Sequence, residues 1–211
     1  MGFYRERIFP RLLEWTAADR DLNALRRRAL APARGRVLEI GIGTGINLEL
    51  YPAGIEAVTA IDINPGMTAL AQERARRFRP DIEHLQASAE DMPFQSGSFD
   101  CVLSTLTLCS IPNVAGALAE VKRVLKPQGQ FLFLEHGRHP EPRISRWQDR
   151  LDGLWGRIFD GCHINRDIGT LVQRAGFQVD VDHPPLPRAP ALVGYCYLGT
   201  ARPTAVPAET R

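Results

Sequence analysis

Cysteine is scarce and scattered in this 211-residue chain. The four residues at 101, 109, 162 and 196 include no CxxC pair. That excludes a disulfide framework, a zinc knuckle and a redox dithiol, and makes a reducing compartment the default. Long apolar runs are also missing: no stretch approaches the ~18 residues that a membrane-spanning helix needs. Neither sign of charge dominates, because 26 Lys and Arg face 24 Asp and Glu for a formal net charge of +2. Nothing global therefore calls for nucleic acid or a membrane surface as partner. The opening MGFYRERIFPRLLEW is charged from Arg5 onward and has no apolar signal-peptide core. Glu6 also stands where a myristoylation signal needs Ser or Thr. These absences predict a soluble cytoplasmic protein.

What is present is an alternation of strand and helix patterns. RVLEI (36–40) and EAVTAID (56–62) read as buried strands, with TGINLELY beginning a helix between them. Pro65 opens a helix whose apolar positions include 67, 70, 71, 75 and 78. DIEHLQAS (81–88), SFDCVLSTLTL (98–108) and QFLFLEH (130–136) follow as strands. A helix over 113–125 precedes the last of these, and helical patterns over 144–159 and from INRD onward, with Asn165 as its N-cap, come after it. GFQVDVD and LVGYCYLG close the count as two last strands. Such alternation predicts a mostly parallel sheet with helices on both faces, and ligands of such sheets bind beyond the carboxyl ends of the strands.

At the end of the first strand stands Glu39-Ile-Gly41-Ile-Gly43-Thr44-Gly45. A dinucleotide fingerprint needs its last glycine at 46, but that residue is Ile46. Glycines in such a turn let the backbone reverse and approach a ligand closely. Asp62, 21 residues beyond Gly41, ends the next strand, where a carboxylate can accept both hydroxyls of a ribose. Strand, acid, glycines and a second acid-ended strand together predict an adenosine-type ligand.

E-I-G-I-G-T-G followed by AIDINPGM resembles the cofactor site of class I S-adenosylmethionine-dependent methyltransferases. ASAEDMPFQSGSFDCVLS and EVKRVLKPQGQFLFLEH resemble the middle of the quinone-biosynthesis type. The resemblance implies a Rossmann-like, doubly wound α/β fold. Its seven strands would run in the order 3-2-1-4-5-7-6, with strand 7 antiparallel. One domain would span 1–199, with residues 1–35 as a helical lid, 138–163 as a substrate-side insertion and 200–211 as a flexible tail. It also implies S-adenosyl-L-methionine as cofactor, S-adenosyl-L-homocysteine as product, and no metal. Glu39, Gly41, Gly43 and Gly45 would surround the methionine part, and Asp62 would hold the ribose. Ile63 and Met67 would sandwich the adenine, with Ser88, Ala89 and Glu90 at its edge. Thr105 and Leu106 would border the methionine chain.

TLTLCSIPN, FLEHGR, Trp147 with Trp155, DGCHINRD and PALVGY resemble a narrower group, the methyltransferase-like proteins of which some animal members methylate small alkyl thiols. Those members carry a hydrophobic N-terminal anchor, and no comparable stretch occurs in these residues. This resemblance implies a small, apolar acceptor, a thiol first, with a quinone or a phospholipid headgroup as the other enzyme reading. A non-catalytic cofactor-binding module is the reading from another class. Tyr4, Glu135, Trp147 and Trp155 are the expected acceptor-pocket residues, with His136, Asp160 and His163 as candidates to steer or deprotonate the acceptor. Cys162 reads as packing, and DGCHINRD supplies no spacing for a metal site. Arg26, Arg27, Arg28, Arg34 and Arg36, with Arg74, Arg76, Arg77 and Arg79, read as solvated helix faces or, more sharply, as peripheral contacts to an anionic membrane.

Overall fold

The computed structural model describes residues 2–17, 19–79, 81–186 and 188–204. Seven strands form one sheet in the order β3-β2-β1-β4-β5-β7-β6. β1 (Gly35–Ile40) pairs in parallel with β2 (Ile55–Asp62) and with β4 (Phe99–Thr105). β3 (Glu83–Gln86) extends one edge in parallel, and β5 (Leu125–His136) lies parallel to β4 on the other side. β7 (Cys196–Pro203) runs antiparallel to both β5 and β6 (Phe177–Asp182). The central strands are buried along most of their length, as parallel strands covered on both faces must be.

The sequence explains where the helices begin. A π-helical turn (Tyr4–Ile8) leads into α1 (Phe9–Ala17), and α2 (Arg20–Leu30) starts where the Asp19 carboxylate accepts the Leu22 N–H at 2.8 Å. Asn64 caps α3 (Pro65–Phe78) by accepting the Gly66 N–H, and Asn113 caps α4 (Val114–Val124) through the Gly116 N–H. α5 (Pro142–Ile158) opens on a proline, and α6 (Ile168–Arg174) follows it. Apolar faces of α4 and α6 join one core with Leu38, Val102, Phe131 and Phe133. α2 closes the other face against Leu103, Leu132 and Leu134.

Four expectations need correction. The helix after the glycine turn is one 3₁₀ turn, Ile46–Glu49, because Tyr51 precedes Pro52 and is pushed out of helical geometry. The cap of α6 is Asp167, not Asn165: the Asp167 carboxylate accepts the Thr170 N–H at 3.0 Å, while the Asn165 amide reaches Asp149. The last strand continues through Pro203, with Ala201 fully buried between its partners Phe131 and Val179. Residues 200–203 thus belong to the sheet, and residues 205–211 of the expected tail lie outside the described residues. Finally, Arg26 does not belong to a solvated face, since only 6% of it is exposed. Arg74 is likewise engaged, with Glu14 at 2.9 Å, and Arg28 with Asp182 at 2.8 Å. No helix among the described residues is long and apolar enough to cross a membrane.

Candidate active site

β1, β2 and β4 end at the mouth of a cleft of about 490 Å³, walled on one side by α1 and α2 and on another by the end of α5. That volume is within the range of small-molecule sites. Its floor is the glycine turn. Gly41 sits at φ 68°, and a side-chain carbon there would lie 2.3 Å from the Thr107 side chain, so only glycine fits. Asp62 faces this turn: one carboxylate oxygen accepts the Gly43 N–H at 2.9 Å and the other accepts the Asn64 N–H at 2.8 Å. Burial pushes the Asp62 carboxyl up, and these backbone bonds oppose it. Asp62 lines the cleft, and its carboxylate retains acceptor capacity that a pair of vicinal hydroxyls could use.

Gly41, Gly43, Asp62, Ile63, Met67, Ser88, Ala89, Glu90, Thr105 and Leu106 all line this cleft. Ile63 and Met67 present apolar surface beside Asp62, although Ile63 is half exposed. The Glu90 carboxylate also receives the Asn113 N–H. Leu106 holds a left-handed φ of 54°, unusual for a branched side chain, at the end of β4.

Two expected cofactor residues sit beneath the cleft, not in its wall. Glu39 is buried and accepts from Asn47 at 2.6 Å and Tyr51 at 2.8 Å, so both its oxygens are already engaged. Burial pushes its carboxyl up to about 7 against those bonds and the nearby Arg26. Gly45 serves packing: its φ of 80° lets the backbone pass within contact of Ala71 on α3.

The acceptor end departs further from expectation. Glu135 is completely buried and lines no part of the cleft. One of its oxygens accepts from Ser104 and from the Thr107 and Leu108 N–H groups, which fixes the turn carrying Leu106. Trp155 lines the cleft, stacked on Phe159 with ring centroids 4.1 Å apart. Trp147 does not; it is 54% exposed, with Arg150 over its ring. Eight residues along an α-helix turn about 80° away from the starting face, which carries Trp147 outward. His136 and Asp160 line the cleft, whereas His163 turns to Asp152 at 2.7 Å and stays outside it. The same Asp152 accepts the Ile164 N–H, so His163 clamps its loop to α5. Tyr4 is outside the lining too. Its hydroxyl donates to the Ile158 carbonyl at 2.7 Å, strapping the N-terminal segment to the end of α5, while Phe9 and Leu13 face the cleft.

Several lining residues were not among the expected site residues. Arg26 reaches the cleft from α2 and donates to Asn47 at 3.0 Å and Thr105 at 3.2 Å; its Nε is buried without a partner. Burial lowers its pKa, and Glu39 and Glu135 oppose that change. The available signal was helical spacing, since 22, 25, 26 and 29 share the inward face of α2. Cys109 and Cys162 also line the cleft, and the Cys162 sulfur lies 3.1 Å from Nε2 of His136. The Cys109 thiol donates to Cys162 and draws its pKa down, while Cys109 itself is pushed well up.

A mostly parallel sheet with this strand order, a glycine floor and an acid ending β2 defines a nucleotide-type cleft of the methyltransferase class. The comparisons with known proteins agree: a methyltransferase-domain family model matches residues 38–133. Human thiol S-methyltransferase TMT1A is 38% identical over 148 residues, 67% of this chain and 59% of that protein. The ubiquinone/menaquinone biosynthesis C-methyltransferase UbiE of Sinorhizobium fredii is 38% identical over 175 residues, 71% of this chain and 68% of that protein. A Thermotoga maritima methyltransferase described as a possible histamine N-methyltransferase superposes with a TM-score of 0.69. It is 20% identical and covers 96% of this chain and all of that one, a likeness of fold. The chain therefore belongs to the S-adenosylmethionine-dependent methyltransferases. It spans about three fifths of the length of the human relative.

Proposed function

We propose that this protein transfers the methyl group of S-adenosylmethionine to the sulfur of a small apolar thiol. When bound, that cofactor supplies an electrophilic methyl on a sulfonium. The groups of the cleft suit its parts. Asp62 takes the ribose hydroxyls, and Ile63 and Met67 flank the adenine, with Ser88, Ala89 and Glu90 at its edge. Backbone groups of Gly41 and Gly43, with Thr105 and Leu106, border the methionine chain. Arg26, which lines the cleft, offers a cation to the methionine carboxylate.

The observation that carries the thiol reading is the apolar lining that Trp155, Phe159 and Val193 contribute to the cleft, together with the sulfur-bearing Cys109, Cys162 and Cys196. A thiol has a pKa of ~8.5 and is already partly ionised near neutrality, so it needs orientation and dry surroundings more than a strong base. His136 and Asp160 are the groups placed to orient it. The thiol S-methyltransferase name of the human relative supports the same class. Methylation of a quinone-like carbon is the second reading, favoured by the likeness to UbiE.

The deciding experiment offers methyl-labelled S-adenosylmethionine with alkyl thiols, quinols and phospholipids in parallel. The proposal expects label on thiol sulfur. Label only on quinols or lipids would overturn it, and no label on any class would favour a module that binds without turnover.

A further inference from the structure

We propose that Cys109, His136 and Cys162 form a zinc(II) site that opens into the acceptor end of the cleft. The three side chains come from separate segments: the turn after β4, the end of β5 and the loop after α5. Their ligand atoms all lie within 4.8 Å of one another. His136 offers Nε2 at 3.1 Å from the Cys162 sulfur. A shared zinc sits ~2.3 Å from each sulfur and ~2.0–2.1 Å from the nitrogen, which sets tetrahedral ligand atoms roughly 3.5–4 Å apart. The His136–Cys162 pair needs to open by roughly 0.5 Å to meet that geometry, and the other pairs lie within 4.8 Å.

Two thiolates and an imidazole are soft donors that favour zinc-class cations and disfavour magnesium or calcium. Three protein ligands leave a fourth position free, and all three residues line the cleft, so that position faces the acceptor. The trio is also held in place before any ion arrives. The His163 N–H donates to the Cys109 carbonyl at 2.8 Å, joining the two cysteine-bearing loops. Arg166 donates to the carbonyls of Leu108 and Ile111, on either side of Cys109. Asp160 and Gly161, both at left-handed φ, turn the chain so that Cys162 points inward.

The site deepens the thiol reading and rests on it for its chemistry. A thiol bound at the fourth position loses its proton to water and becomes a zinc thiolate. Its sulfur attacks the sulfonium methyl; the new sulfur–carbon bond forms as the cofactor's bond breaks, and that bond's electron pair stays on the cofactor sulfur. The methylated thioether, now a neutral and weaker ligand, leaves the metal.

The test uses the whole protein stripped of metal and titrated anaerobically with cobalt(II). One equivalent should bind with thiolate-to-cobalt charge-transfer bands and the strong visible bands of a tetrahedral site, and zinc should displace it. Cys109→Ser and Cys162→Ser should each weaken zinc by more than about a hundredfold in chelator competition, since losing even a supporting group costs 10–100-fold. Circular dichroism of the same variants separates ligand loss from unfolding. No bound cobalt in the wild-type protein, or unchanged bands in both serine variants, would overturn the site. Alkyl thiol added to the cobalt form should shift the charge-transfer bands. Bound cobalt that ignores thiols would uphold the metal site and count against the thiol acceptor alone.

Discussion

Replacing Asp62 tests the cofactor half of the cleft. Its two oxygens accept the Gly43 and Asn64 N–H groups, and the carboxylate lines the cleft with acceptor capacity left for the ribose hydroxyls. Hydrogen bonds to a charged group contribute ~1.5–3 kcal/mol each, so two ribose bonds amount to about 3–6 kcal/mol. Water entering the space left by alanine recovers part of that, which leaves ~3–4 kcal/mol. Asp62→Ala should therefore weaken S-adenosylhomocysteine binding by two to three powers of ten, at 1.4 kcal/mol per tenfold. Titration calorimetry at neutral pH measures this, and a melting curve of the free variant checks that it folds. Because burial raises the Asp62 pKa, wild-type affinity should fall on acidification at a higher pH than an ordinary aspartate would give. An Asp62→Ala affinity within about threefold of wild type would refute the assignment of the ribose to this carboxylate.

Glu39 gives a stability prediction. Its folded pKa of about 7 exceeds the ordinary 4.5, so folding favours its protonated form. That contribution is complete below about 4.5 and is lost as pH rises through about 7. At 1.36 kcal/mol per unit it amounts to about 3 kcal/mol, and Glu39→Gln should flatten the denaturant-midpoint profile across that window; an unchanged slope would refute it. Gly41→Ala should destabilise by a few kcal/mol, because it combines a left-handed φ with a clash against Thr107. The double variant Gly41→Ala with Thr107→Ala should recover part of the loss in chemical unfolding, and no recovery would exclude the clash as the cause. Trp155→Ala should raise the acceptor KM, while Trp147→Ala should leave KM alone and change stability by no more than about 0.5 kcal/mol. Equal effects on KM would show that the two tryptophans share the cleft.

Features confined to a few adjacent residues were legible in the sequence. An acid ending an apolar strand beside a glycine turn has few structural uses, so Asp62 and Gly41 stood out, and strand–helix alternation carried the sheet order once the resemblance was seen. Features assembled across the chain were not legible. Arg26 looks solvated within its basic run, and only the inward face of α2 reveals that its guanidinium is buried. Glu39 and Glu135 end apolar strands much as Asp62 does, yet they face Asn47 and the Thr107 turn in place of the cleft. His163 was a candidate to steer the acceptor, whereas the loop sends it to Asp152 and leaves His136, 26 residues before Cys162, beside the sulfur. Sequence spacing carries little information about a cluster whose members arrive on three separate segments.

The most direct test of the account is a crystal structure of the protein with S-adenosylhomocysteine bound. It should show both ribose hydroxyls on the Asp62 carboxylate, the adenine between Ile63 and Met67, and the amino-acid carboxylate facing Arg26. The product sulfur should point toward His136 and Trp155. A ligand seated elsewhere, or turned so that its sulfur points away from that wall, would contradict the account.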